Sequence, residues 1–194
     1  MNFNKFLFKY RSYTPIPLLL IMLIFSMPSI LSISIGLMIM LLGETIRFWG
    51  VSIVGVETRV TKTGVGATSL ITNGPFAYVR NPLYIGNILL YVGACVMSMA
   101  LFPWLLIATV IGSYVQYYFI IRLEEEYLIN KYGDKYKEYS NNVSRFMPKL
   151  RPYQDFSYSF EVPNIKEGLT SEKRTLQAIF GITICMIFIY FCRH

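Results

Sequence analysis

Three stretches of this chain carry no charged residue at all: Pro15 to Gly43, Asn81 to Ile121 and Thr175 to Cys192. They run to 29, 41 and 18 residues. A bilayer core takes roughly 20 apolar residues per helix, so the middle run has to fold back as two helices. Over 194 residues, 54% are hydrophobic and only 15% charged, at a mean hydropathy of +0.46. That balance excludes an ordinary water-soluble globule. The expected fold is all-α: a polytopic membrane bundle of about five transmembrane helices with one amphipathic helix on the cytosolic face. A single membrane domain fills residues 1–194. It comprises an N-terminal helical hairpin (1–53), a core (54–150), and a polar connection with a terminal membrane helix (151–194).

The formal charge of +7 does not call for nucleic acid. Basic residues gather in three groups, Lys5 to Arg11, Arg59 to Arg80 and Arg122 to Arg174, and placing all three inside satisfies the positive-inside bias. The N-terminus is then inside, the C-terminus outside, and anionic inner-leaflet lipids attract the basic segments. Lys5, Lys9 and Arg11 ahead of an apolar run imitate a signal peptide. However, Ser26 to Ser29 offers no small-residue cleavage site and apolar sequence resumes after Pro28, so a retained hairpin is expected. That hairpin runs from Pro15 to Gly50, breaks at Met27-Pro28-Ser29, and sets Glu44 beside Arg47 at i,i+3. Spans follow over Pro82–Ala100 and Pro103–Ile121. From Glu124 to Asn142 an amphipathic helix is expected, with Leu128, Tyr132, Tyr136, Tyr139 and Val143 on one face. The last span is Thr175–Cys192, after a polar stretch to Arg174.

Several chemistries are excluded. Gly64-Val65-Gly66 lacks the third glycine of a dinucleotide loop, and no Asp or Glu stands between Glu57 and Glu124 to bind a ribose. The single histidine, His194, cannot complete a Ser–His–Asp set, and Cys95, Cys185 and Cys192 form no metal-binding pattern. Two segments remain. In the first, Gly74-Pro75 makes a turn, and Pro82 opens a helix with Asn81 as its N-cap. Arg80 then sits beside exposed helix N–H groups, an arrangement suited to a carboxylate or other anion. The second is Glu124-Glu125-Glu126 at the inner end of the following helix. An antiparallel hairpin brings the two segments together, either as a structural Arg–Glu clamp or as a ligand pocket.

The ordered motifs weigh towards the pocket through a resemblance. Gly74-Pro75-Phe76, Tyr78, Arg80-Asn81-Pro82, Tyr84 and Gly86 are followed by Glu124-Glu125, Leu128, Tyr132-Gly133, Tyr136, Tyr139, Val143, Arg145 and Pro148. Over residues 45–150 this set resembles the isoprenylcysteine carboxyl methyltransferase family and its phospholipid-methyltransferase relatives. The resemblance implies S-adenosylmethionine in a cytosol-facing pocket and methyl transfer to a lipophilic acceptor from the bilayer, most like isoprenylcysteine carboxyl O-methylation. It implies a cofactor held by Thr68, Ser69, Leu70, Ile71, Phe76, Asn81, Pro82, Leu83, Tyr84 and Glu124. Arg80 and Glu125 would stand at the reacting end, Arg80 orienting an acceptor carboxylate and Glu125 taking a proton from an amine acceptor. Thr68 and Asn81 replace family histidines, Phe76 replaces a tyrosine, and Ile120 stands where the family has a substrate-contacting arginine, with Arg122 nearby on another face. Two alternatives stay open: an NADPH-using membrane reductase related to sterol reductases, and a non-catalytic membrane scaffold.

Overall fold

The computed structural model describes residues 15–54, 70–154 and 163–193. Every regular element among them is helical: α1 (Pro15–Phe25), α2 (Ile30–Val54), a 3-10 turn (Gly74–Ala77), α3 (Pro82–Ser98), α4 (Trp104–Tyr132), α5 (Asp134–Asn142) and α6 (Ile165–Arg193). Helices α2, α4 and α6, of 25, 29 and 29 residues, are long and apolar enough to cross a membrane. The described part of α1 and the whole of α3 are apolar but shorter. At 1.5 Å per residue they reach about 17 and about 26 Å, against roughly 30 Å of hydrocarbon. The chain is a helical membrane bundle, as its charge-free runs require.

Three helix boundaries differ from expectation, each for a local reason. The fourth helix does not stop at Ile121 but continues through Glu124 and Glu125 to Tyr132. No Gly or Pro interrupts residues 121–132, so leaving the apolar stretch does not end the helix. It ends at Gly133, whose φ of +58° favours a residue without a Cβ. The amphipathic helix expected over Glu124–Asn142 is therefore two elements, the end of α4 and the separate α5. Helix α6 begins ten residues before the expected Thr175. Asn164 caps it: the Glu167 N–H donates to Asn164 Oδ1 at 3.3 Å, and Asn164 Nδ2 donates to Glu167 Oε1 at 2.9 Å. Helix α2 also runs past Gly50 to Val54.

Two compact units divide the chain. The first holds the described parts of Met1–Glu44, Gly86–Ile120 and Arg174–His194. Its core gathers Met22, Met40, Ala94, Cys95, Met97, Ala100, Ile179 and Met186. Serines tie its turn: Met27 N–H donates to the Ser98 carbonyl at 2.8 Å, and Ser32 Oγ to the Met97 carbonyl at 3.2 Å. Ile24, Leu31, Met38, Ile111, Phe180 and Phe188 stand exposed on its surface, which suits hydrocarbon and not water.

The second unit holds the described parts of Thr45–Ile85 and Ile121–Lys173. Its core is Leu70, Tyr136, Tyr139 and Val143, with Leu128, Tyr132 and Tyr153 packed against it. Arg47, placed beside Glu44 by sequence, is salt-bridged at 2.6 Å to Glu172, a fully buried carboxylate on α6. Gly168 lets α6 lie against Phe48 and Ser52 of α2, where an added Cβ would meet Phe48 at 2.9 Å.

Candidate functional site

The second unit contains every described residue that the motifs single out between Leu70 and Pro148 as cofactor-binding or catalytic. Its first part is the segment from Leu70 into α3. Gly74, at φ +58°, starts the 3-10 turn, and a Cβ there would lie 2.0 Å from Ile53 Cδ1. Only glycine meets both conditions. Along α2, Gly50 leaves room for Leu83, which a Cβ would meet at 2.8 Å, and Trp49 packs its ring 6.1 Å from that of Tyr78.

A strap after α5 locks this segment through backbone bonds. Arg80 N–H donates to the Ser144 carbonyl at 2.9 Å, Lys149 N–H to the Tyr78 carbonyl at 3.0 Å, and Tyr153 N–H to the Ala77 carbonyl at 2.9 Å. Tyr139 adds a side-chain tie, its hydroxyl donating to the Phe76 carbonyl at 2.8 Å. Burial drives the Tyr139 hydroxyl pKa well above the usual tyrosine range. Tyr136 is pushed up to about 12, first by burial and then by Glu125, against a lowering hydrogen bond from Arg80. The tyrosine stripe is thus packing with two hydrogen-bonded hydroxyls. For Tyr139→Phe, which takes the hydroxyl donor from a part-buried carbonyl, we expect a loss of about 1–2 kcal/mol in thermal or denaturant unfolding. Raised tyrosine pKa values mean stability is complete below pH 10 and falls as pH rises towards 12; in Tyr136→Phe that alkaline decline should be shallower.

The ionic centre is built on Glu125. Arg80 Nη1 donates to its Oε1 at 2.8 Å, Arg145 Nε donates to the same oxygen at 3.1 Å, and Arg145 Nη2 donates to Oε2. The three side chains are 15%, 30% and 12% exposed for Arg80, Arg145 and Glu125, so water screens them only in part. One residue earlier on α4, Glu124 Oε1 accepts from the Tyr84 hydroxyl at 2.7 Å. Asn81 precedes Pro82 as expected, its carbonyl accepting from Ile85 N–H, while its side-chain amide donates to the Arg145 carbonyl at 3.1 Å.

Arg80 and Glu125 are brought into contact, as are Tyr84 and Glu124. Pro82 is buried at the start of α3, and Leu83, Ile71 and Phe76 are partly exposed. Leu70 is only 6% exposed and packs its side chain into the tyrosine core, leaving its backbone as the part a ligand would meet. Thr68 and Ser69 lie outside the described residues. Ile120 is fully buried and Arg122 is exposed. Arg145 is the site residue that sequence reasoning underrated. It stood within the ordered motif, but only the fold shows it sharing Glu125 with Arg80. Among the described residues, no group of three or more His, Cys, Asp or Glu is placed to hold a metal ion.

Residues 31–135 match the family model described as phospholipid methyltransferase. A nickel-cobalt-cadmium resistance protein of Alcaligenes xylosoxydans xylosoxydans is 26% identical over 68% of this chain and 59% of its own length. The protein-S-isoprenylcysteine O-methyltransferase of Schizosaccharomyces pombe is 32% identical over 42% of this chain and 34% of its own. Methanethiol S-methyltransferase 1 of Bradyrhizobium diazoefficiens is 37% identical over 39% and 25%. The matches thus span between a quarter and three fifths of these relatives. No solved structure matches. The family match covers 105 of 194 residues, from the start of α2 into α5, and includes the hairpin whose ends carry Arg80, Tyr84, Glu124 and Glu125. The chain belongs to the phospholipid methyltransferase family.

Proposed function

We propose that the chain is a membrane methyltransferase that uses S-adenosylmethionine and methylates a lipophilic acceptor, most like the carboxyl group of an isoprenylcysteine, on the cytoplasmic side. The observation that carries this reading is the closure of the two hairpin ends, with Tyr84 bonded to Glu124 beside the Arg80–Glu125–Arg145 cluster. The cytoplasmic placement rests on the basic groups flanking the apolar runs.

The donor set fits the cofactor. Glu124, bonded to Tyr84, offers a carboxylate that accepts hydrogen bonds. A carboxylate suits ribose hydroxyls or an amino group, and its negative charge suits a sulfonium. Phe76 and Tyr84 offer ring surface, and Asn81, Pro82, Leu83 and the backbone of Leu70 and Ile71 complete the described part of the cradle. Thr68 and Ser69 are proposed to extend it. Bound there, S-adenosylmethionine supplies an already activated methyl group. The protein's task is then alignment, which can recover on the order of 7–11 kcal/mol of barrier.

Arg80 is proposed to orient the acceptor, since a guanidinium pairs readily with a carboxylate. Glu125 is proposed to hold Arg80 in that pose. Both Glu125 oxygens already accept from arginine, which supports a positioning task in preference to proton removal. An acceptor that arrives as an anion, carboxylate or thiolate, fits this arrangement better than an ammonium. Two relatives, an isoprenylcysteine O-methyltransferase and a methanethiol S-methyltransferase, support that class.

Calorimetry on the detergent-purified chain tests the reading. S-adenosylmethionine or its demethylated product should bind, and Glu124→Gln should weaken binding about 10- to 100-fold, the range for a lost charged hydrogen bond. Binding of NADPH with no response to either compound would replace the proposal with a reductase. Silence towards all three would leave a scaffold.

A further inference from the structure

We propose that the strap from Ser144 to Tyr153 is an interfacial anchor that binds the surface of an anionic phospholipid bilayer. In this arrangement Met147 and Leu150 insert among the lipids, and Lys149 and Arg151 meet the phosphates. The inference is independent of methyl transfer and rests on four observations. First, the strap exposes apolar side chains that the protein itself does not cover: Met147 is 76% exposed and Leu150 is 100% exposed. A soluble surface tolerates scattered leucines, but a fully exposed Leu150 three residues from Met147 on one short loop has a directed character. Second, the charges alternate with the apolar groups. Lys149 and Arg151 flank Leu150, both are exposed, and no acidic residue occurs between Glu138 and Asp155. Apolar groups beside cations without acids match an anionic lipid interface, to which each basic residue adds about 1 kcal/mol.

Third, the loop is held out and not merely loose. Lys149 N–H and Tyr153 N–H are bonded to the Tyr78 and Ala77 carbonyls, and Pro148 and Pro152 stiffen the backbone between them. Its tip is therefore presented without the ordering cost that a free loop incurs on binding. Fourth, the chain carries helices able to cross a membrane, so a bilayer is the surface always available to it. A second protein copy would need a complementary acidic face, and charge complementarity favours the lipid.

The strap also reaches the site: Ser144 accepts from Arg80, and Arg145 holds Glu125. The same ten residues thus join the bilayer surface to the ionic centre.

The test places the full chain in nanodiscs whose lipids carry bromine on the acyl chains near the glycerol, with or without phosphatidylglycerol. A tryptophan is introduced by Leu150→Trp; Phe180→Trp on the apolar part of α6 serves as the lipid-buried control and Lys137→Trp on α5 as the aqueous one. Each signal is taken relative to the parent. Leu150 and Lys137 are exposed, so neither change burdens the fold. Leu150→Trp should be quenched at least about twofold, close to the Phe180→Trp response, as for a side chain buried 5–10 Å into the headgroup boundary. Adding Lys149→Glu and Arg151→Glu to Leu150→Trp should reduce the quenching in phosphatidylglycerol discs more than in zwitterionic ones. Quenching no greater than for Lys137→Trp overturns the anchor. Equal quenching with and without the charge reversals overturns its preference for anionic lipid. Crosslinking between copies through position 150 in place of quenching would assign the surface to a dimer and likewise overturn it.

Discussion

Glu125→Ala should destabilise the protein by about 3 kcal/mol or more, the largest effect expected from any single change at the ionic centre. The reason is arithmetic of charge. Glu125 is the carboxylate onto which both Arg80 and Arg145 converge, and all three side chains are at most 30% exposed. Removing it leaves two guanidiniums facing each other in a partly dry site. Losing one partner of a buried pair costs about 3–5 kcal/mol, and the residual exposure of Arg145 places this case at the lower end. For a chain of this size, 3 kcal/mol corresponds to a melting shift of roughly 6–12 °C. Glu125→Gln keeps one acceptor but turns an amide N–H towards an arginine, so an intermediate loss is expected. Thermal unfolding of the detergent-solubilised protein, followed by tryptophan emission, measures both. A shift below about 2 °C for Glu125→Ala would show that water already screens the cluster. Its double mutant with Arg145→Met should recover part of the loss, because an apolar side chain then replaces one of the two facing cations.

The clamp and the proposed ligand site, which sequence leaves as alternatives, draw on the same residues. A methyltransferase working on an activated methyl needs fixed geometry more than acid–base groups, so a rigid ionic centre beside the cradle serves that chemistry. Arg80 ties the strap by its backbone and Glu125 by its side chain. Structural and functional roles therefore cannot be separated by deleting Arg80 alone. The Glu124 calorimetry is the cleaner probe, because Glu124 bonds to Tyr84 outside the triple cluster.

How much of this was legible in the sequence follows from the range of each interaction. Charge-free runs report helices in a membrane because the bilayer acts on every residue along the span. Turn chemistry at Gly74-Pro75 and Asn81-Pro82 is equally local and is found where expected. The end of α4 is not legible in the apolar run, because a helix need not stop where hydrophobicity does. Backbone hydrogen bonding carries the helix through Arg122, Glu124 and Glu125 to the first real breaker, Gly133. Arg47 illustrates the other limit. Glu44 is its obvious neighbour at i,i+3, and the fold also brings it Glu172 from 125 residues away. Nothing local in either helix announces such a pair. The strap bonds that lock Ala77, Tyr78 and Arg80 are backbone bonds between distant residues and leave no side-chain signature at all.

Gly36→Leu should prevent the first unit from assembling. Glycines recur every seven residues on α2, at Gly36, Gly43 and Gly50, and on α3 at Gly86 and Gly93. Seven residues are close to two helical turns, so each set lies on one face. In the first unit the faces meet: a Cβ on Gly36 would lie 2.5 Å from the Gly93 carbonyl oxygen and 2.6 Å from the Met97 nitrogen, and one on Gly43 would lie 2.8 Å from the Gly86 oxygen. The obstacles are backbone atoms, which cannot rotate away as a side-chain tip would. Overpacking of a core costs about 1–3 kcal/mol when side chains can adjust, and more is expected here because whole helices must separate. In lipid the loss is compounded, since association of membrane helices depends on close packing and not on expulsion of water. Gly112 and Gly181 supply the contrast. Both lie inside helices, and a Cβ on either meets nothing within 4 Å. Their alanine variants should be neutral or more stable by about 0.5–1 kcal/mol, the helical preference for alanine over glycine. Size-exclusion profiles and melting curves of the three variants decide the matter. Aggregation or loss of the main peak is expected for Gly36→Leu alone. If it elutes and melts like the Gly112→Ala protein, the close approach of α2 and α3 is not what holds this unit together.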